Sequence, residues 1–244
     1  MKSVLAIFKR EFAAYFATPL AYVFIVIFLF AMGTFTFYIG RFFETGVASL
    51  AIFFSYHVWL YLFLVPAIGM RLWAEERKSG TIELLLTLPI PIWASVLGKF
   101  LAAWVFTGVA LALTFPIWLT VNYLGDPDNG VIVASYVGSF LMAGGYLAIS
   151  AAISALTSNQ VIAFVVSVVI CFLFTISGAP LVVDFFKAWA PLALVDTVAS
   201  FSFMTHFQTI ARGVIDLRDI VFFFSLIALF LGINVLIIDQ KKAG

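Results

Sequence analysis

Six apolar runs decide what this chain can become. They extend from about Leu20 to Gly40, Ile52 to Met70, Ser95 to Val121, Val131 to Leu156, Val161 to Val183 and Ile220 to Ile238. A helix needs ~20 residues to cross ~30 Å of hydrocarbon. Lipid offers no partner to a bare backbone group, so only helices or a closed barrel can span it. Barrel strands would alternate in polarity and be about half this length. The expected fold class is therefore an all-α membrane protein: six transmembrane helices in one domain over residues 1–244. Composition agrees, with 10% charged residues against roughly 25% in a soluble domain. No leader is apparent, because the run after Lys2, Lys9 and Arg10 is too long and lacks a small-residue cleavage site.

Residues 3–17 place Val4, Leu5, Phe8, Phe12, Tyr15 and Phe16 on one helical face, with Lys2, Lys9 and Arg10 off it. That pattern predicts an N-terminal interfacial amphipathic helix. The alternative, a frayed start of the first span, meets a helix breaker at Thr18-Pro19. The segment 184–219 is partly helical and half-apolar, broken at Pro191. It is either two short helices dipping into the membrane against protein or an ordinary surface hairpin.

Basic residues orient the chain. With the N-terminus in the cytoplasm, Lys2, Lys9, Arg10, Arg71, Arg77, Lys78, Lys99, Lys241 and Lys242 lie inside. Only Arg41, Lys187, Arg212 and Arg218 lie outside. Both termini and residues 71–94 are thus expected in the cytoplasm, with 184–219 outside. Trp73 and Trp93 flank the charged loop where interfacial tryptophans belong.

Chemistry is sparse. Two distant histidines and one cysteine, Cys171, provide no metal-ligand spacing. Gly98-Lys99-Phe100 lacks the first glycine and the hydroxyl residue of a phosphate loop. No nucleophile elbow occurs, so an intramembrane enzyme has no catalytic constellation here. A driven carrier usually carries carboxylates at the midplane, and the spans offer none. His57 reads as a satisfied side chain in a helix interface, Asn234 as an interhelical hydrogen-bond donor, and Lys99 as a snorkelling cation.

What stands out is the charged interruption between the second and third runs. As a helix over about 75–88, it sets Ile82, Leu85 and Leu86 at spacings of three and four behind the acids and bases of Glu75-Glu-Arg-Lys78, and it stops at Pro89. A loop that only fixed topology would need no such amphipathic face.

The run Glu76-Arg-Lys-Ser-Gly-Thr-Ile-Glu-Leu-Leu-Leu-Thr-Leu-Pro89, followed by Leu97-Gly98-Lys99-Phe100, resembles the signature of ABC-2 type permeases, the membrane subunits of one class of ABC transporters. The resemblance covers essentially the whole chain. The segment His206-Phe-Gln-Thr-Ile-Ala-Arg-Gly-Val-Ile-Asp-Leu-Arg-Asp219 is similar to one in permeases of gliding-motility-associated ABC transporters, relatives of permeases linked to copper-enzyme maturation. The resemblance implies a multi-pass subunit of the bacterial cytoplasmic membrane, paired with a second permease copy or a related one. ATP and Mg would sit on separate cytoplasmic ATPase subunits, leaving this chain without cofactor or catalysis. Residues 75–88 would be the coupling helix, with Glu75, Glu76, Arg77, Gly80, Thr81, Glu83, Leu85 and Leu86 as its ATPase contacts. The output would be export, or movement of a docked extracytoplasmic protein. From its excess of polar groups, His206, Gln208, Arg212, Asp216, Arg218 and Asp219 are expected to dock an extracytoplasmic accessory subunit. The plainer possibility is that the charged members cap the last helix and pair with one another.

Overall fold

The computed structural model describes residues 2–87, 89–187 and 189–240; the side chains of residues 20 and 84–86 lie outside the description. Among the described residues all regular structure is helical. Helix α1 is Lys2–Ala17 and α2 is Pro19–Gly33, which continues through a π-helical turn, Thr34–Ile39, and a 3-10 turn, Phe42–Thr45. Then come α3 (Ala51–Gly69), α4 (Arg71–Ser79), α5 (Thr81–Thr87), α6 (Ile92–Ala112), α7 (Phe115–Leu124) and α8 (Asn129–Ser154). The chain ends with α9 (Gln160–Ile176), α10 (Pro180–Lys187), α11 (Leu192–Ala199), α12 (Phe203–Ala211) and α13 (Leu217–Gln240).

Among the described residues five helical segments are long and apolar enough to cross a membrane: Ala21–Thr45, Ala51–Ser79, Ile92–Leu124, Asn129–Ser154 and Leu217–Gln240. A sixth exists if α9 and α10, bent by 73° at their junction, count as one. The bend falls where Ser177, Gly178 and Ala179 lead into Pro180. Proline starts a helix well but cannot continue one, so the fifth run stops short of its expected end near Val183. Pro19 likewise starts α2, separating it from α1.

Helix α8 is the centre of the bundle. It packs against α3, α6, α9, α12 and α13. Its inner surface is small: Gly138, Ala143, Gly144, Gly145, Ala148, Ser150 and Ala152 are buried. Small residues let helix backbones approach closely in lipid, where packing rather than water expulsion holds helices together. A Cβ on Gly145 would meet the Phe203 ring at 2.5 Å, so glycine is what allows α12 to lie against the bundle. Asp128 caps the start of α8, accepting from Gly130 N at 2.9 Å, and Asn159 caps α9 in the same way.

The segment between the fifth and sixth runs contains three short helices, α10 to α12, rather than two. Besides the expected break before Pro191, a second falls at residues 200–202, where the Ser202 hydroxyl accepts from Thr205 N and caps α12. Ser202 Oγ also donates to Thr175 O of α9 at 3.1 Å, which anchors this turn to the bundle.

Candidate functional site

The charged interruption is not one helix. Helix α4 prolongs α3 and ends at Gly80, whose φ of 72° is left-handed. Glycine takes that conformation without the Cβ clash other residues meet, which makes it the usual C-terminal stop. Gly80 N still bonds Arg77 O at 3.3 Å, and α5 restarts at once. The expected helix over 75–88 is therefore two helices meeting at a glycine joint. Leu85 and Leu86 are on α5, but their side chains lie outside the described residues.

Helix α4 is anchored from inside. The Ser154 hydroxyl, at the end of α8, accepts from Trp73 N at 3.1 Å and Ala74 N at 3.0 Å, and donates to Met70 O at 2.7 Å. It thus pairs backbone groups left over where the ladder is disturbed between α3 and α4. The Trp73 side chain is 1% exposed. It is a core residue, not the interfacial anchor its place in the sequence implied.

Lys99 also departs from expectation. It does not snorkel to water: it is 3% exposed, and its ammonium lies 2.7 Å from Glu76 Oε1 of α4 and 3.2 Å from Glu11 Oε1 of α1. Its Nζ also stands 5.4 Å from the Trp73 ring centroid, within the range of a cation–π attraction. One buried cation from α6 thus ties two carboxylates from two other helices. Burial raises the Glu11 carboxyl, but Lys99 and then Arg10 outweigh it, and the group ends below its ordinary value. Glu76 therefore faces inward.

The other predicted contacts look outward. Glu75 is half-exposed and pairs with Arg71 one turn back at 2.9 Å. Thr81 and Glu83 are exposed, as is Gly80. Arg77 is partly buried, and its Nε has no partner among the described residues. Arg77, Gly80, Ile82 and Glu83 line one side of a cleft of about 550 Å³, closed by Leu156, Thr157, Ser158 and Ile238.

The six polar residues leading into and opening α13 separate into three groups. His206 and Asp219 are buried and bonded to each other, Nδ1 to Oδ1 at 2.5 Å. His206 Nε2 lies 2.9 Å from Ser200 O. A carbonyl can only accept, so Nε2 carries a proton, and the pair shares another across the carboxylate contact. The ring stacks on Phe222 with centroids 4.0 Å apart, so α11, α12 and the head of α13 are pinned together. Asp216 and Arg218 are exposed, and Asp216 Oδ1 accepts from Arg218 N at 3.0 Å. Gln208 and Arg212 lie on another face of α12 beside Phe54, Trp59 and Phe207, around a groove of about 280 Å³. Of the plainer possibility the cap forms, with Asp216 at the start of α13, but among the described residues Arg212, Arg218, Asp216 and Asp219 make no ion pair with one another, because the buried aspartate takes the histidine.

His57 is fully buried. Its Nδ1 contacts Phe53 O at 3.1 Å, while Nε2 has no partner among the described residues. The Asn234 amide also finds none, so among the described residues it is not the interhelical donor the sequence suggests. Sequence reasoning missed Ser154 and Glu11. A serine in an apolar run and an acid on the polar side of α1 carry no sign of partners 80 and 88 residues away.

These features define a polytopic helical membrane protein whose second long helix runs into a charged, internally anchored element at one end. The chain belongs to the ABC-2 family of transporter proteins, whose family model matches residues 64–238. It is a membrane subunit of the ABC transporter class, and the family is one that associates with ABC ATPases. Two curated relatives are similar over a shorter stretch. Heme exporter protein B of Paracoccus denitrificans is 37% identical over 65 residues, 27% of this chain and 30% of the relative. Heme exporter protein B of Rhodobacter capsulatus is 35% identical over 71 residues, 29% of this chain and 33% of the relative. The matched stretch thus spans about a third of the length of either relative.

Proposed function

We propose that this chain is the permease half of an ATP-driven complex of the bacterial cytoplasmic membrane, with both termini in the cytoplasm and the domain organised as six spans. Residues 71–91 receive the stroke of separate cytoplasmic ATPase subunits, which hold the ATP and Mg. A second permease copy, or a related permease, completes the transmembrane unit. The observation that carries this reading is the construction of the charged element. Its inner part, α4, is locked by Ser154 and Lys99, while α5 projects beyond the Gly80 joint with Thr81 and Glu83 exposed. Glu75, Arg77, Gly80, Thr81, Glu83, Leu85 and Leu86 make the ATPase contact. Glu76 acts behind it, through Lys99.

The test is co-expression with the cognate ATPase. Glu83→Arg is expected to reduce co-purification and permease-dependent ATP hydrolysis while leaving membrane insertion unchanged. Unaltered complex and ATPase activity in both Glu83→Arg and a Gly80→Val variant would refute the assignment.

The output is export or motion of a docked extracytoplasmic protein, and the gliding-motility resemblance favours a dedicated external partner under either reading. The second reading draws support from the His206–Asp219 bond, which ties the short helices to the head of α13, so a load on one moves the other. The docking face is Gln208 and Arg212 with the adjoining end of α3, since Arg212 is exposed and its side chain makes no ion pair among the described residues. Haem, named for the relatives, is the first cargo to assay. Cysteines at Gln208 and Arg212 should crosslink to an accessory subunit in native membranes. Capture of lipid or of the second permease alone would remove the docking face.

A further inference from the structure

Another pocket, away from the cleft beside α5, opens at the other end of α13. It measures about 550 Å³ and is walled by Asp196, Ser200, Thr209, Asp216, Arg218 and Asp219, with His206 beside them. Three carboxylates and one guanidinium share it. Asp219 is its unusual member. The side chain is 5% exposed, one oxygen is held by His206, and the other, Oδ2, has no hydrogen-bond partner among the described residues. A buried carboxylate oxygen without a donor is unfavourable and is relieved when a donor arrives.

The pocket's depth narrows what that donor can be. Helix α13 has 24 residues and at 1.5 Å per residue is roughly 36 Å long. That exceeds the ~30 Å of hydrocarbon, so Asp216, just ahead of the helix, and Arg218 and Asp219, in its first turn, stand at headgroup level. Leu217 is 73% exposed beside them, and Phe201, next to Ser200, is 48% exposed. Apolar side chains thus flank a polar hole. A purely cationic ligand would suit the three aspartates but be repelled by Arg218. A purely anionic one would suit only Arg218. A ligand carrying both signs satisfies every wall.

We propose that this pocket binds the headgroup of an amine-bearing phospholipid of the phosphatidylethanolamine class. The primary ammonium donates to Asp219 Oδ2 and to the rim carboxylates of Asp216 and Asp196, the phosphate lies against Arg218, and the acyl chains run past Leu217 and Phe201. A quaternary choline has no N–H and cannot make these bonds. The same ammonium and phosphate occur in soluble glycerophosphoethanolamine, which provides the control for source. The proposal rests on α13 being a span, and it requires neither the ATPase assignment nor the docking face.

Native mass spectrometry of the purified full chain, titrated with lipids of matched acyl chains, reads it directly. Phosphatidylethanolamine should bind about tenfold more tightly than phosphatidylcholine, a ratio of ~1.4 kcal/mol. It should also bind at least about tenfold more tightly than glycerophosphoethanolamine. Asp219→Asn should erase the ethanolamine preference, and Arg218→Gln should weaken both lipids alike. Asp219→Asn also disturbs His206, so the exposed pair Asp196→Asn with Asp216→Asn is the second variant, expected to reduce the preference without altering thermal stability. Equal binding of ethanolamine and choline lipids, strongest binding of phosphatidylglycerol, or a preference that survives both variants overturns the proposal. Equal affinity for the soluble headgroup overturns the lipid as its source.

Discussion

Replacing Lys99 by methionine isolates the charge from the packing. Methionine keeps an unbranched apolar stem, so the space beside Trp73 is largely filled while the ammonium is removed. What remains is Glu11 and Glu76, each with a side chain only about a fifth exposed, facing a site with no cation between them. Breaking a buried pair costs ~3–5 kcal/mol, because the partner is left charged and desolvated. Partial exposure and the Arg10 contact to Glu11 lower this, and we expect ~2–4 kcal/mol for Lys99→Met on that scale. The triple variant Glu11→Gln, Glu76→Gln, Lys99→Met should recover most of the loss, since removing all the charges together is often neutral. Thermal unfolding of the purified chain in one detergent, measured for the single, double and triple variants, completes the cycle. If Lys99→Met unfolds at the wild-type temperature, or the triple variant is less stable than the single one, the three-helix charge cluster does not hold α1, α4 and α6 together. The same variants should separate stability from coupling. Lys99→Met is expected to reduce permease-dependent ATP hydrolysis even at temperatures where it stays folded.

Lowering the pH should dissolve part of this cluster. The folded Glu11 carboxyl titrates below its unfolded value. Its contribution is therefore complete above the unfolded value of ~4.3 and is lost as pH falls through the folded one. The stability gap between wild type and Glu11→Gln should hold at neutral pH and close in acid, and a gap that widens in acid refutes the assignment. Ser154→Ala should destabilise by ~1–3 kcal/mol, because Trp73 N and Ala74 N lose their acceptor in a buried place; an unchanged unfolding temperature would mean that α4 is held by other contacts. Gly80→Ala should cost ~1–2 kcal/mol for a left-handed residue, with Gly80→Asn milder; equal effects of the two would exclude backbone strain as the cause. Cysteines at Lys78 should be shielded from impermeant reagents in intact cells, and those at Asp126 and Lys187 accessible. Labelling of Lys78 from outside would invert the topology.

The parts of the fold that follow from long apolar runs were legible, because lipid leaves the backbone so few choices. The proline breaks at Pro19 and Pro191 were legible too, whereas the one at Pro180 was hidden inside an apolar run that continues to Val183. The break at Gly80 was not, since glycine is tolerated inside helices and gives no warning when it takes a left-handed turn. The fate of Lys99 was hidden for a different reason. Near a span's end a lysine with no acid close in sequence reads as a snorkelling one, and its partners Glu11 and Glu76 arrive from other helices only after packing. Ahead of α13, polarity was visible but direction was not. The polar residues between His206 and Asp219 read as one surface, whereas the α12 wheel sends His206 inward and Gln208 and Arg212 to another face.

How the charged element is built bears on how it would work. A push delivered to α5 meets a glycine before it meets α4. A left-handed glycine is a poor spring, so small rotations of α5 would be absorbed there. Displacement along the α4 axis would not, because α4 continues into α3 and is fastened sideways to α8 by Ser154 and to α6 and α1 by Lys99. The joint would therefore filter such a stroke: tilt of α5 would be lost there, and thrust would be passed to four helices at once. Stiffening the joint should then increase the tilt that reaches the bundle. In Gly80→Ala, if the strained turn converts to continuous helix from Arg71 to Thr87, the spin-label distance between Thr81 and the exposed Ser158 should change more on nucleotide binding than in the wild type. An unchanged distance change in a variant shown to be continuous would mean that Gly80 is only a stop signal for α4, and that the stroke enters the membrane by another route.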